Sequence, residues 1–262
     1  MADRPILFSA PMIMALLAGR KTQTRRLVNP QPFADGYYDG EVDCTFVPAP
    51  ASNLQAYARF GAAAVGGGAI RTETFTPRNQ PGDTLWVREA WRTFVSLDGT
   101  KPRDLWSPGC GRGAGVLYEA DCDGLALTKE GERWTGTRTE HRNAFGKLRP
   151  SMFMPRWASR LTLPVSEVCV ERLQDISEKD AIAEGITCEN VIVGMACYGG
   201  PPREITADRY FFDGCDEEGF EDGVSAYAAL WDSINGEGAW ATNPWVTATT
   251  FAVERRNIDA EG

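Results

Sequence analysis

The chain has 262 residues, of which 43% are hydrophobic and 24% charged, enough apolar material for one sizeable core or two small ones in a soluble globular protein. Its formal net charge of −9 argues against a protein that coats nucleic acid through bulk electrostatics, which needs many phosphate-neutralising cations on one face. A local cationic pocket remains compatible with that charge.

The apolar run near the start is broken by Pro11 and Gly19 and has no small-residue cleavage pattern after it. No window approaches the roughly 18 uninterrupted apolar residues of a membrane span, so a cytoplasmic protein without membrane association is expected. The seven cysteines are widely spaced, odd in number and free of any C-x-x-C pair, as in a reducing compartment. With His141 the single histidine, a zinc site would need three or four scattered thiolates to converge, and the zinc-deaminase pattern is missing. Neither a metal nor an organic cofactor is expected.

In chain order, Ile6 to Ser9 predicts a short strand, and PMIMALLAG predicts a two-turn helix with Met12, Ile13, Leu16 and Leu17 on one side. Pro11 near its start and Gly19 at its end suit those positions. GRKTQTRR follows, the densest basic run of the chain, with Arg20, Lys21, Arg25 and Arg26 opposing the overall charge. Thr22, Thr24 and Arg26 alternate with Gln23 and Arg25 as in an extended segment.

Residues 30 to 75 are rich in Pro, Ala and Gly and predict an irregular insertion. The PGD turn of QPGDTLWVREAW leads into a strand over Leu85 to Ala90, with Trp86 and Trp91 entering a core. A second insertion, near 95 to 145, carries GCGRGAG, whose glycine spacing fails the G-x-G-x-x-G nucleotide pattern and whose following VLYEAD predicts strand, not helix.

ASRLTLPVSEVCVERLQDI predicts one or two strands. ISEKDAIAEG is a well-delimited helix signature: Ser177 as N-cap, Asp180 three residues on, Ile176 and Ala181 placed for a hydrophobic staple, and Gly185 to finish. A third insertion, near 187 to 222, contains the acidic run DGCDEEGFEDG, expected as a solvated loop. SAYAALWDSING predicts a helix with Leu230, Trp231 and Ile234 inward, and NPWVTATTFAVERR a final strand. The irregular alternation of strands and helices predicts a single α+β domain over 1–262, built on a twisted or barrel-like sheet with long loop insertions.

Two features carry chemistry. Lys21 and Thr24 follow a helix end, and a hydroxyl beside an amine serves as a nucleophile when the amine takes its proton. Crowding by Arg20, Arg25 and Arg26 would lower the lysine pKa. Strict extension would send Lys21 and Thr24 to opposite faces, and a solvated basic turn is the commoner explanation of such a run. Glu184 occupies the last turn of its helix, where a carboxylate meets the negative end of the dipole and loses roughly 0.3–1 kcal/mol. A cation facing it would explain the placement. Met152, Phe153 and Trp157 of MFMPRWASR are expected first as packing residues.

GRKTQTRR after a short helix, PGDTLWVRE and ISEKDAIAEG together resemble the ASCH domain of the PUA-like superfamily, and LWDSING with NPWV resembles longer versions found in phage and prophage genomes. The resemblance covers Ile6 to Arg26, Gln80 to Trp91, Ala158 to Gly185 and the closing strand. It implies a twisted β-barrel flanked by short helices, in a bacterial or phage-infected host cytoplasm. Small members are N4-acetylcytidine amidohydrolases. Carried over by motif, their functional residues fall on Lys21, Thr24 and Glu184 as the catalytic set.

The resemblance thus implies a hydrolase acting on a non-peptide amide bond of a modified nucleoside or nucleobase. Trp86 and Trp91 are candidates to stack on a base and Arg26 to orient its polar edge, although core packing is the commoner role of such tryptophans. Two alternatives stay open: a non-catalytic reader of RNA or a modified base, and an ASCH-type ribonuclease using the same three residues.

Overall fold

The computed structural model describes residues 2–32, 43–47, 57–62, 71–105, 115–121, 123–127, 133–137, 145–196, 203–215 and 217–260. It is an α+β protein with a mixed five-stranded sheet and few short helices. The GCGRGAG stretch up to Ala114, His141 and Asp216 lie outside the described residues.

The chain divides into two compact units, residues 1–19, 82–164 and 252–262 in one, and 20–81 with 165–251 in the other. In the first, β1 (Asp3–Leu7) pairs in parallel with β6 (Thr84–Arg88). The strand thus begins before the predicted Ile6. The helix α1 (Ala10–Leu17) buries Ile13, Ala15 and Leu16, starts with a proline in its first turn and gives way to Gly19 at φ 72°, a conformation glycine adopts without a Cβ clash.

The insertion at 95 to 145 is not all loop: β7 (Trp91–Arg92), β8 (Gly115–Tyr118), β9 (Asp123–Leu127) and β10 (Arg133–Thr137) form a four-stranded antiparallel sheet. Trp91, Val116, Tyr118, Met154 and Ala158 pack together as the core of this unit. Met152 and Phe153, expected to pack, are exposed, whereas Trp157 is partly buried against this core and Met154 and Ala158 lie within it.

The second unit opens with β2 (Gln23–Leu27). Its insertion at 30 to 75 is likewise ordered as β3 (Asp43–Val47), β4 (Tyr57–Ala62) and β5 (Arg71–Phe75), a three-stranded antiparallel sheet. Ala58 and Phe60 of β4 are buried with Val28, Val170 and Trp245. Composition read as loop because Gly and Ala dominate the connections, while the strands are short.

ASRLTLPVSEVCVERLQDI forms one long strand, β11 (Thr162–Arg172), with a register shift between Val165 and Glu167 just past Pro164. Proline removes a ladder donor, and such an irregularity is where a strand tolerates it. The first three residues of β11 pair with β6 and the rest with β14 (Trp245–Phe251), which in turn pairs with β2. The strand order β1-β6-β11-β14-β2 is open, so the expected closed barrel is absent among the described residues. A run of this many strands reads as a barrel from strand count, but closure needs end-to-end pairing that local sequence does not encode.

The short helix α2 (Glu178–Ala183) starts as predicted: Ser177 Oγ accepts the Asp180 N–H, and Gly185 follows at φ 112°. The insertion at 187 to 222 holds an antiparallel ribbon, β12 (Thr187–Ala196) with β13 (Arg203–Phe211). The last helix, α3 (Gly223–Asn235), is N-capped by Asp222 and buries Ala226, Tyr227 and Trp231. Ile234, expected inward, is exposed, because the buried face runs through 227 and 231. Leu173, Ile176, Ala181, Ile186 and Val246 complete this core.

Candidate functional site

Residues 20 to 22 meet the C-terminal end of α2. The Thr22 N–H donates to the Ala183 carbonyl at 2.8 Å, Lys21 Nζ to the Glu184 carbonyl at 2.7 Å, and Arg20 Nη1 to the Gly185 carbonyl at 3.2 Å. A helix end leaves such carbonyls without intrahelical partners and carries partial negative charge. Arg20, Lys21 and the Thr22 N–H satisfy them, which accounts for two of the four cations of the turn on structural grounds.

Lys21 does more than cap. Its Nζ also lies 2.5 Å from Glu184 Oε2, and the two side chains are only 1% and 4% exposed. The residues are 163 positions apart in sequence. The cation expected to face Glu184 is therefore Lys21. The other carboxylate oxygen, Oε1, accepts from Tyr227 Oη at 3.4 Å and faces Arg25 Nη1 at 3.6 Å.

Arg25 is buried and anchored by Glu171, to which Nε and Nη2 donate at 2.9 and 2.7 Å; Asp180 stands 3.6 Å away. Thr24 is buried too. It shares a face of β2 with Arg26, opposite Arg25, and its hydroxyl makes no hydrogen bond to Lys21 or Glu184 among the described residues. Arg26 is accessible to solvent, yet protein surrounds it closely enough for burial to lower its pKa against the pull of Glu184 and Tyr227.

The electrostatics favour proton movement. Burial lowers the Lys21 pKa from its ordinary 10.5, and although Glu184 opposes this, Arg26 and Arg25 push the same way as burial. For Arg25, burial alone would lower the pKa, but Glu171 and Glu184 outweigh it and keep the guanidinium charged. Burial, then the Glu184 charge, holds the Tyr227 hydroxyl well above its ordinary value, so it remains a donor. Cys169, near Glu171, is pushed up to about 12 by burial first and that carboxylate second, so it is a poor thiolate.

Trp86 and Trp91 belong to the first unit, where they are 6% and 0% exposed. Trp91 sits in that unit's core, and Trp86 lies beneath the Arg88 guanidinium at 4.5 Å. So enclosed, Trp91 has no face to offer a base, and the substrate-binding role expected of the pair gives way to packing. Sequence reasoning missed Tyr227, Glu171 and the anchoring of Arg25. Tyr227 was within reach: it lies one turn before Trp231 and so shares its face.

Among the described residues no group of three or more His, Cys, Asp or Glu side chains is placed to hold a metal ion, and no helix is long and apolar enough to cross a membrane. Comparisons with protein-family models, curated proteins and solved structures return no match.

Proposed function

We propose that the protein is an ASCH-like, PUA-like amidohydrolase that removes an acyl group from a modified nucleobase or nucleoside of the N4-acetylcytidine kind. The observation that carries this reading is the buried contact of Lys21 with Glu184 at 2.5 Å, with a buried threonine, Thr24, three residues after the lysine on β2. A buried amine with a lowered pKa gives up its proton more readily than an ordinary lysine, as the base for a threonine nucleophile must.

In the proposed reaction Thr24 Oγ1 forms a bond to the acyl carbon and its proton passes to Lys21 Nζ. The resulting lysinium stabilises the oxyanion. As the carbon–nitrogen bond breaks, the proton moves from Lys21 to the leaving exocyclic amine. Water then attacks the acyl-threonine, giving a proton to Glu184; the carboxylic acid departs and Thr24 recovers its proton. Arg25 and Tyr227 hold Glu184 in place throughout, and no metal or organic cofactor takes part.

A non-catalytic reader of RNA or a modified base is the second reading. It is favoured by the contact of Lys21 Nζ with the Glu184 carbonyl at 2.7 Å, a structural role for the lysine that requires no catalysis. Incubation of the purified protein with N4-acetylcytidine and related N-acylated nucleosides separates the two. Release of the acyl group, lost in Lys21→Ala, Thr24→Ala and Glu184→Ala, supports the hydrolase. Release by all three variants at the wild-type rate rejects the site, and salt-sensitive RNA binding without turnover favours the reader; strand cleavage would instead indicate a ribonuclease.

A further inference from the structure

Several arginines of the first unit are matched to acids. Arg160 and Arg92 each grip a carboxylate through Nε and Nη2, that of Glu89 and that of Glu119, while Arg4 and Arg156 pair with Asp83 and Asp3. Arg149 faces carbonyls instead, donating from its two Nη groups to Thr100 and Leu97. Arg88, the last residue of β6, follows neither pattern.

Arg88 is half-buried, and its Nη1 donates to the Met152 carbonyl at 3.1 Å. Its Nε is buried without a hydrogen-bond partner. Among the described residues Nη2 makes no hydrogen bond, and no carboxylate pairs with the group. Burial lowers the Arg88 pKa with no carboxylate acting against it, the opposite of Arg160, whose acids outweigh burial. A guanidinium drawn partly out of water is costly until an anion is set against it.

The group is also held ready for one. Trp86 lies two residues earlier on β6 and so on the same face, with its ring centroid 4.5 Å from the guanidinium carbon. Stacking fixes the plane of the group, and the bond to Met152 fixes its rotation within that plane. Its neighbours are apolar and exposed. Leu7 is its register partner on β1, and Met152 and Phe153 belong to the 3-10 turn Ser151–Phe153 that accepts from it; the three are 43%, 57% and 55% exposed.

One cation within an apolar rim selects its anion by charge. A phosphate carries about −1.5 to −2 near neutral pH and would leave negative charge uncompensated against apolar side chains. A carboxylate carries one charge and fits the planar fork of a guanidinium. The exposed side chains of Leu7, Met152 and Phe153 gain by covering an apolar body attached to that carboxylate.

We propose that Arg88 anchors a binding site for an organic acid, its guanidinium taking the carboxylate while Leu7, Met152 and Phe153 cover the apolar body. The site uses none of Lys21, Thr24 or Glu184, so it stands apart from the hydrolase reading and needs no turnover to be tested.

The test is calorimetric titration of the intact protein with hexanoate, acetate and inorganic phosphate. Hexanoate should bind at least about tenfold more tightly than acetate, since each methylene removed from water contributes about fourfold, and more tightly than phosphate. Arg88→Gln should weaken hexanoate binding about tenfold or more, the effect of losing a charged hydrogen-bond donor. The double variant Met152→Ser, Phe153→Ser keeps the Met152 carbonyl and changes only exposed side chains, and it should weaken hexanoate binding about tenfold with an unchanged melting temperature.

Hexanoate binding that is equal in the wild type and in Arg88→Gln overturns the site, as does the absence of saturable hexanoate binding. Phosphate bound more tightly than hexanoate overturns the choice of a carboxylate. Should Arg88→Gln fail to fold, the double variant decides, and hexanoate affinity that it leaves unchanged overturns the proposal.

Discussion

Each unit of the molecule buries a cation against carboxylates, and the two arrangements behave in opposite ways. In the first, Arg160 donates twice to Glu89, at 2.8 Å from both Nε and Nη2, and twice to Asp121, at 2.7 and 3.1 Å, while its guanidinium stacks 4.0 Å from the Tyr118 ring centroid. Burial would lower its pKa, but these partners outweigh burial and raise it. In the second, Glu184 supports the charge of Lys21, and burial wins. Bidentate partners that outweigh burial lock a cation's charge in place; burial that outweighs the carboxylate, beside two arginines, makes the proton easier to give up.

The sharpest way to break this contrast is to remove each cation. Lys21→Ala should lower acyl release at least about a thousandfold, the range for loss of a base that acts with a nucleophile, as read in single-turnover assays. Arg160→Ala should instead cost about 3–5 kcal/mol of stability, because the buried Glu89 and the partly buried Asp121 lose the guanidinium they share, with kcat of the folded fraction unchanged. Denaturant melts and activity on the same samples separate the two outcomes. A large kcat loss in Arg160→Ala, or none in Lys21→Ala, would erase the distinction.

The pH dependence sharpens it further. If neutral Lys21 is the base, kcat rises with pH along a limb set by its lowered pKa. The same shift makes stability rise with pH between that lowered value and the ordinary 10.5, since in that window the unfolded chain holds a proton that the folded chain has released. Arg26→Gln removes a charge that depresses Lys21, so the kcat limb should move to higher pH. A limb that stays in place means that Arg26 does not act on the lysine.

The smallest effect concerns the helix that presents Glu184. Ser177→Ala removes the N-cap of α2 and should cost about 1 kcal/mol, measured by chemical denaturation. Asp180, which burial alone would push up, is held below its ordinary value by Ser177 and Arg25. Its contribution to stability is present above the usual carboxylate pKa and lost as pH falls through the lowered one; Asp180→Asn should flatten that acid limb.

What could be read in the sequence was what short spacing encodes. The caps of α2, the glycine after α1, the alternation of β2 and the misplaced carboxylate of Glu184 each follow from residues within one or two turns. The pairing of Glu184 with Lys21 followed only as an expectation, because two oppositely signed anomalies lie 163 residues apart. Apart from VLYEAD, read as strand and found in β8, the strands of the three insertions were missed for a common reason: each is stabilised by its cross-strand partner, and composition averaged over Gly-rich connections hides the pairing. Ile234 failed through phase, since the apolar stripe of α3 passes through Tyr227 and Trp231 instead. Tryptophan at strand positions suggested base stacking, but an apolar ring next to a core is buried first.

The central claim is that Lys21 is poised to lose its proton, and direct titration of its side chain by nitrogen-detected NMR, assigned with Lys21→Arg, tests it. The Lys21 amine should titrate clearly below the ordinary 10.5 and drop further in Glu184→Gln, where the Glu184 carboxylate that supports its charge is gone. A Lys21 that stays protonated up to the ordinary lysine range, unaffected by Glu184→Gln, would contradict it.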